Sequence, residues 1–486
     1  MRRILVVAVA GAAIAAPAVA APGGPHRGQI VEVRGPDGVA RHADQYVPPA
    51  AFTASALGDP ISPIIFMNRC TGGCTLTASS RNDARTNETT IPSAPDGTTV
   101  QFPAFPFDDA TWQAFMACAR EVYSPYDVTV TDVDPGTSVI HHEVIVAGTP
   151  DLVGLGSSIL GIAPVAGDCL PKNNNISFDF AANHTPNDVL ELCATATHES
   201  AHSWGLDHEF DCTDPMTYLT GCGEKFFRNR TIVCGEFEAQ GPRDCACGPG
   251  QNSHAIITSV FGAGQTTVPP PTADILSPRN GEAVTAGFSV FVDAHGKRGV
   301  ARIEVWINGY RWAAYTPPTT YASSPFTIAV PAALPDGILD LEARAYDDLD
   351  AYDRTTITVT KGAPCTTADT CATGQVCTDG KCHWDSPTRA LGDACAFPQE
   401  CVSGVCQDLG GGGTVCTQPC FTGIDGQCPA SFACASTGGA SGFCAEGGGG
   451  GTGGCSAGQH SATEVASHLG VIGLVGAIAF RRRRRR

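Results

Sequence analysis

Positive charge is scarce in this chain. Its 486 residues carry 30 Lys and Arg against 48 Asp and Glu, a formal net charge of −18. A folded body that acidic repels phosphate backbones and anionic lipid, which argues against nucleic acid as a partner. Charge of either sign is sparse too, at 16% of residues, whereas 56 Gly and 35 Pro are plentiful, a balance that suits loop-rich extracellular modules. Methionine occurs four times, and Met216 is the only one beyond Met116, so it is not generic core filler. No Cys-x2-Cys pair occurs among the 23 cysteines, which disfavours zinc-finger modules.

What is abundant is cysteine, and its distribution is informative. Ten cysteines lie between Cys70 and Cys247, twelve between Cys365 and Cys444, and Cys455 is left over. Two even sets predict disulfides in an oxidising compartment, with Cys455 unpaired. The first residues agree with export. Met1-Arg2-Arg3 is a basic start, 4–16 is apolar and short, and Ala18-Val19-Ala20 is a small-x-small cleavage site, so 1–20 reads as a signal peptide. At the other end a glycine-rich spacer (446–454) precedes Cys455, an apolar run at 465–480 and six arginines at 481–486. This arrangement resembles the MYXO-CTERM sorting tail of myxobacterial surface proteins. The resemblance implies that the tail (455–486, with a short transmembrane helix) is cut near Cys455, and that a lipid on Cys455 or the tail itself holds the protein to a membrane.

A chain this long exceeds one compact core, so several modules are expected. Residues 21–60 read as a propeptide or linker of little periodicity. They lack a cysteine that could silence a metal, and Asp44 or a histidine is the available cap, although the segment reads first as a spacer. A catalytic domain is expected over 61–262. It has strands at 61–67, 126–133 and 141–146, a helix at 112–123 with apolar residues at helical spacing, and an edge strand beside the cleft at 176–180. His141 and His142 are adjacent on a strand, point to opposite faces and read as structural. A closing helix spans 253–261, and a Pro-rich linker follows at 263–272. Alternation between turn signals over 273–361, with Asn308-Gly309 as a two-residue hairpin, predicts an all-β immunoglobulin-like sandwich. Within it Asp347, Asp348, Asp350 and Asp353 could hold calcium, though a solvated acidic loop is the simpler reading. Residues 362–445 read as small disulfide modules.

The chemistry concentrates in His198-Glu199-Ser200-Ala201-His202-Ser203-Trp204-Gly205-Leu206-Asp207-His208. On a helix His198 and His202 share a face one turn apart, and Glu199 projects beside whatever they hold. Gly205 lets the backbone leave the helix left-handed and swings His208 back as a third ligand. Three ligands leave a position for water, which is the mark of a catalytic zinc. The helix is expected to start with Thr185 as N-cap, Pro186 at N1 and Asp188 at N3. Cys193 and Cys212 flank the motif, where a disulfide would brace it, although spacing alone assigns no pairing.

These residues resemble the metzincin signature His-Glu-x-x-His-x-x-Gly-x-x-His in full. Asp214-Pro215-Met216-Thr217-Tyr218 resembles the Met-turn, and Tyr218 stands where astacins and serralysins carry a tyrosine. Gly205-Leu206-Asp207-His208 resembles matrixins, and Glu209 resembles astacins, so the likeness reaches the clan and not a subfamily. It implies a multidomain protein with an α+β metzincin-like catalytic domain that binds Zn2+ through His198, His202 and His208. Glu199 would be the general base, Tyr218 an oxyanion donor and Met216 the floor beneath the metal. The expected activity is a secreted or surface-anchored endopeptidase acting on extracellular protein or peptide. The alternative is a surface adhesion protein with a vestigial protease domain, against which the intact Glu199 argues.

Overall fold

The computed structural model describes residues 28–52, 60–319, 324–409, 413–421, 427–438 and 441–446. The expected signal peptide, the sorting tail and Cys455 lie outside the described residues. Contacts divide the chain into two compact units, Met1–Asp385 and Ser386–Arg486. The protein is mostly β, with three α-helices among the described residues.

The first unit opens with a hairpin, β1 (Gln29–Arg34) and β2 (Ala40–Tyr46). Within the stretch read as propeptide or linker, 29–46 is therefore not a plain spacer: its weak alternation becomes two paired strands because β2 finds a partner far along the chain. Then follow β3 (Ile64–Asn68), β4 (Cys74–Ala78), β5 (Glu88–Thr89), β6 (Thr99–Phe102), α1 (Asp109–Tyr123), β7 (Thr129–Thr131), β8 (His142–Val146), β9 (Gly161–Val165), β10 (Ile176–Asp179), α2 (Val189–Ala201) and α3 (Ser253–Phe261). The main sheet has the order β1-β2-β9-β10-β8-β3-β7.

Central strand β8 is buried along its whole length, as a strand covered on both faces must be. Val144 and Val146 join Trp112, Phe115 and Leu192 of the helices in one core. Ile145, pointing the other way, joins Ile162, Ile176 and Phe178 in a second core on the opposite face. α1 and α2 lie against the first face and are tied by Cys118–Cys193. Two expectations need correction here. The stretch 176–180 is not the sheet edge: β10 is bracketed by β9 and β8, and it is β9, antiparallel to β10 and covered on its other side by β2, that packs against Glu199 of α2. α2 begins three residues later than expected, with Asp188 itself as N-cap accepting from the Glu191 N–H at 3.2 Å.

Next come β11 (Asp274–Ser277), β12 (Ala283–Val284), β13 (Ser289–Asp293), β14 (Arg302–Ile307), β15 (Tyr310–Tyr315), β16 (Phe326–Ala329), β17 (Gly337–Tyr346) and β18 (Tyr352–Lys361). They form sheets of order β11-β13-β16 and β12-β18-β17-β14-β15 around a core that includes Val290, Val292, Ile303, Val305 and Leu341. Burial alternates along most of β17, as it does when one face of a strand packs inward. Asn308 and Gly309 both adopt positive φ (48° and 82°) and close the β14–β15 hairpin. This portion is locked to the first by buried guanidiniums. Arg298 holds Asp348 through two bonds of 2.8 and 2.9 Å and donates to the carbonyl of Phe227, and Arg228 donates to the carbonyl of Arg298.

The second unit is small and stapled, with a two-stranded ladder (Cys406–Asp408 with Thr414–Cys416) and a three-stranded one built on Ser441–Glu446. All 22 described cysteines pair, in eleven disulfides. The suggested bridge between Cys193 and Cys212 is not formed. Cys193 pairs with Cys118 and Cys212 with Cys222, because Cys193 faces α1 across the helix interface. No helix among the described residues is long and apolar enough to cross a membrane.

Candidate metal centre

α2 runs to Ala201, tightens into a 3-10 turn over His202–Trp204 and ends at Gly205, whose φ of +82° turns the chain back. A side chain on residue 205 would both strain that conformation and meet the backbone of Cys169 at 3.0 Å. The turn delivers His208 beside the helix. His202 Nε2 then lies 3.1 Å from His198 Nε2 and 3.3 Å from His208 Nε2, and all three rings are buried.

The other ring nitrogens show which form each imidazole takes. Nδ1 of His198 lies 2.9 Å from the Pro215 carbonyl, and Nδ1 of His202 lies 2.8 Å from that of Leu206. A carbonyl only accepts, so both Nδ1 atoms carry the proton and both Nε2 atoms present bare lone pairs to one another. His208 Nδ1 faces the Glu236 carboxylate at 3.5 Å. Lone pairs so placed repel unless a cation lies among them. Metal–nitrogen bonds of about 2.0–2.1 Å at tetrahedral angles put ligand nitrogens about 3.3 Å apart, the spacing found here. The three histidines could therefore hold a metal ion.

The surroundings are anionic. Asp44, 3% exposed on β2, places its carboxylate oxygens 3.6 Å from the Nε2 atoms of His202 and His208. It was available to sequence reading only as a possible cap, and the hairpin brings it to the fourth side of the cluster. Burial disfavours charge on His208, but Asp44, Glu236 and Asp207 outweigh it and push its pKa up to about 10. That is the field a divalent ion would meet. Arg243 bridges Asp207 and Glu236 and so fixes the loop that carries the third ring.

Glu199 is fully buried beside the cluster, with Oε2 lacking a hydrogen-bond partner. Burial first, and Asp44 next, push its carboxyl well above the usual carboxylate range. It packs against the backbone of β9 so closely that a Cβ on Gly161 would collide with its carboxylate and stand 2.8 Å from Thr195 Cγ2. Tyr218 OH lies 2.8 Å from His208 Nε2, and burial, followed by Asp44 and Glu199, keeps the phenol protonated. The Asp214–Tyr218 turn is set by the Asp214 carboxylate, which accepts from the N–H groups of Met216 and Arg228 and from the Ser253 hydroxyl. Met216 is fully buried in the core shared with Trp204 and Leu206.

Other candidates fall elsewhere. His142 packs edge-on to Trp204, and burial followed by His141 lowers its pKa to about 3; His141 Nδ1 faces the Val139 carbonyl at 2.8 Å. Of the acidic residues considered for calcium, Asp348 is held by Arg298, Asp350 pairs with Arg302 at 3.0 Å, and Asp347 accepts from the N–H groups of Leu349 and Ala351. Sequence reasoning missed Lys225 and Glu236 and had His42 only as one of the histidines offered as a cap; all three approach the cluster only through the tertiary fold.

No protein-family model matches the chain, and no curated protein does. Among solved structures it is similar to the fibronectin(III)-like modules of Clostridium thermocellum CbhA, at 22% identity over 18% of this chain and 94% of that one (TM-score 0.16). It is also similar to a lytic polysaccharide monooxygenase of Jonesia denitrificans, at 12% identity over 18% of this chain and 60% of that one (TM-score 0.16). OgpA from Akkermansia muciniphila matches at 12% identity over 46% of this chain and 65% of that one (TM-score 0.16). Likenesses of this extent carry no argument about activity.

Proposed function

We propose that the chain is a zinc endopeptidase of metzincin type, exported and tethered at the cell surface, and held latent by the β1–β2 hairpin. One observation carries the reading: three buried imidazoles converge through their Nε2 atoms at 3.1 and 3.3 Å, those of His198 and His202 bare, with a buried carboxylate beside them, Glu199, whose Oε2 lacks a partner. A structural metal site has no use for that carboxylate.

Zinc, when bound, acidifies a water and polarises a carbonyl. The chain supplies the rest. Glu199 takes the proton of the attacking water and passes it to the departing amine. Tyr218 donates its phenol hydrogen to the negative charge that develops on the carbonyl oxygen. β9 offers backbone groups to an extended peptide, which is how a protease can accept many sequences. In the latent form β2 takes that place, pairing with β9 from His42 to Tyr46, and Asp44 fills the side where water would stand.

The test compares the unprocessed chain with Glu199→Ala and Asp44→Ala on casein, with zinc and with a chelator. Asp44→Ala is expected to cut, wild type to cut only after the hairpin is removed, and Glu199→Ala to stay inert. Wild type and Glu199→Ala equally inert after hairpin removal would return the reading to adhesion.

A further inference from the structure

The loop after Met216 carries a lysine toward a pocket beside His198. Ala194 and Thr195 of α2, Thr217, Tyr218, Glu191 and Lys225 wall it. The Lys225 ammonium donates to the Leu219 carbonyl at 3.2 Å, and no carboxylate of the described residues forms an ion pair with it. An ammonium has three protons to donate, so two remain for an occupant of the pocket. Glu191 lines both this pocket and the wider cleft of about 1280 Å3 beyond it, whereas Lys225 lines the pocket and not the cleft. The carboxylate therefore stands at the junction of the two spaces and the cation at the inner end.

The mouth of the pocket is filled by His42 of the hairpin. Its ring stacks on Tyr218, 4.1 Å between centroids and 14° between planes, and the space left over is about 10 Å3, room for one water. Burial first, and the Lys225 charge next, hold the His42 imidazole neutral. Whatever side chain replaces His42 meets the same cation.

We propose, resting on the endopeptidase reading, that this pocket selects a carboxylate side chain, Asp or Glu, on the leaving side of the bond cut, and that Lys225 is the group that recognises it. β2 sets His42 opposite Gly161 and Asp44 opposite Ala163. A substrate strand laid antiparallel along β9 runs from the Val165 end to the Gly161 end. A residue opposite Gly161 then follows, on the leaving side, the one opposite Ala163 at the level of Asp44.

Two measurements on the full chain test this, one of them independent of catalysis. In the first, the melting temperatures of His42→Glu and His42→Gln are compared with Lys225 intact and in the Lys225→Met background. The glutamate is expected to gain about 2–4 °C relative to glutamine when Lys225 is present, and to lose that gain without it. An equal difference in both backgrounds overturns the proposal. In the second, zinc-loaded Asp44→Ala digests a peptide library and the new termini are sequenced by mass spectrometry. Asp or Glu is expected after the cut bond about tenfold more often than Asn or Gln, with the preference lost in Lys225→Met. An unselective digest that Glu199→Ala abolishes overturns the specificity and leaves the protease reading standing. A chain that cuts nothing while the coupling between residues 42 and 225 persists overturns the protease reading and supports a carboxylate-binding pocket.

Discussion

Replacing Asp44 by alanine should convert the unprocessed chain from silent to active. The hairpin stays docked through several contacts: five residue pairs of β2 with β9, the Gln45 side chain bonded to Thr90, and Ala40 and Ala43 packed in the core. Asp44 adds a charge that is 3% exposed and faces the cluster at 3.6 Å. Removing one partner of a buried charge pair costs about 3–5 kcal/mol. Charged against docking, the lower figure multiplies the undocked fraction by about 100, since about 1.4 kcal/mol is tenfold. The assay is hydrolysis of an internally quenched peptide by zinc-loaded full chain, with intact mass confirming that no residue has been lost. Asp44→Ala should exceed wild type by about 100-fold, and Gln45→Ala, which loses only neutral hydrogen bonds, by about tenfold or less. The reasoning fails if Asp44→Ala matches wild type while cutting away the hairpin activates both equally. In that case backbone pairing along β9, and not the carboxylate, holds the cleft shut.

Three further outcomes follow from the geometry. Glu143 is buried on β8, and burial pushes its pKa up to about 7. Its ionisation opposes folding, so the stability that Glu143 itself contributes is full below pH 4.5 and is lost, by about 3 kcal/mol, as pH rises from there through 7; the difference in urea midpoint between wild type and Glu143→Gln should show this decline. Gly161→Ala pushes β9 against the Glu199 carboxylate and Thr195, so activity should drop about 100-fold or more while far-UV circular dichroism is unchanged. Asp348→Ala strands the Arg298 and Arg228 guanidiniums in a buried interface, and thermal melts should show a loss of about 3–5 kcal/mol, which Arg298→Lys should not reproduce in full.

The convergence of three histidines was legible because it is local: one helical turn sets His198 and His202 together, and a glycine with φ of +82° brings back His208. α3 and the β14–β15 hairpin were legible for the same reason, since an N-cap and an Asn-Gly turn act within a few residues. The hairpin over 28–46 was not, because its value lies in pairing with a strand more than a hundred residues away, and its own alternation is broken by Gly35, Pro36 and Gly38. The edge strand was misplaced onto 176–180 because β9 carries a glycine and a proline, Gly161 and Pro164, which weaken its pattern. The N-cap fell on Thr185 because Thr-Pro is a common helix opening, yet here the side chain that reaches a free N–H is that of Asp188. Lys225 and His42 meet only when the loop after Met216 and the hairpin close on the same pocket.

β2 lies along β9 heading the same way. In the endopeptidase reading, a peptide about to be cleaved heads the opposite way, so the resident hairpin turns its amides away from attack and resists self-digestion. Silence then ends only through an outside agent, such as another protease or a pull that peels the hairpin off. Once a few molecules are freed they can clear their neighbours, so a crowded surface would switch on late and then all at once.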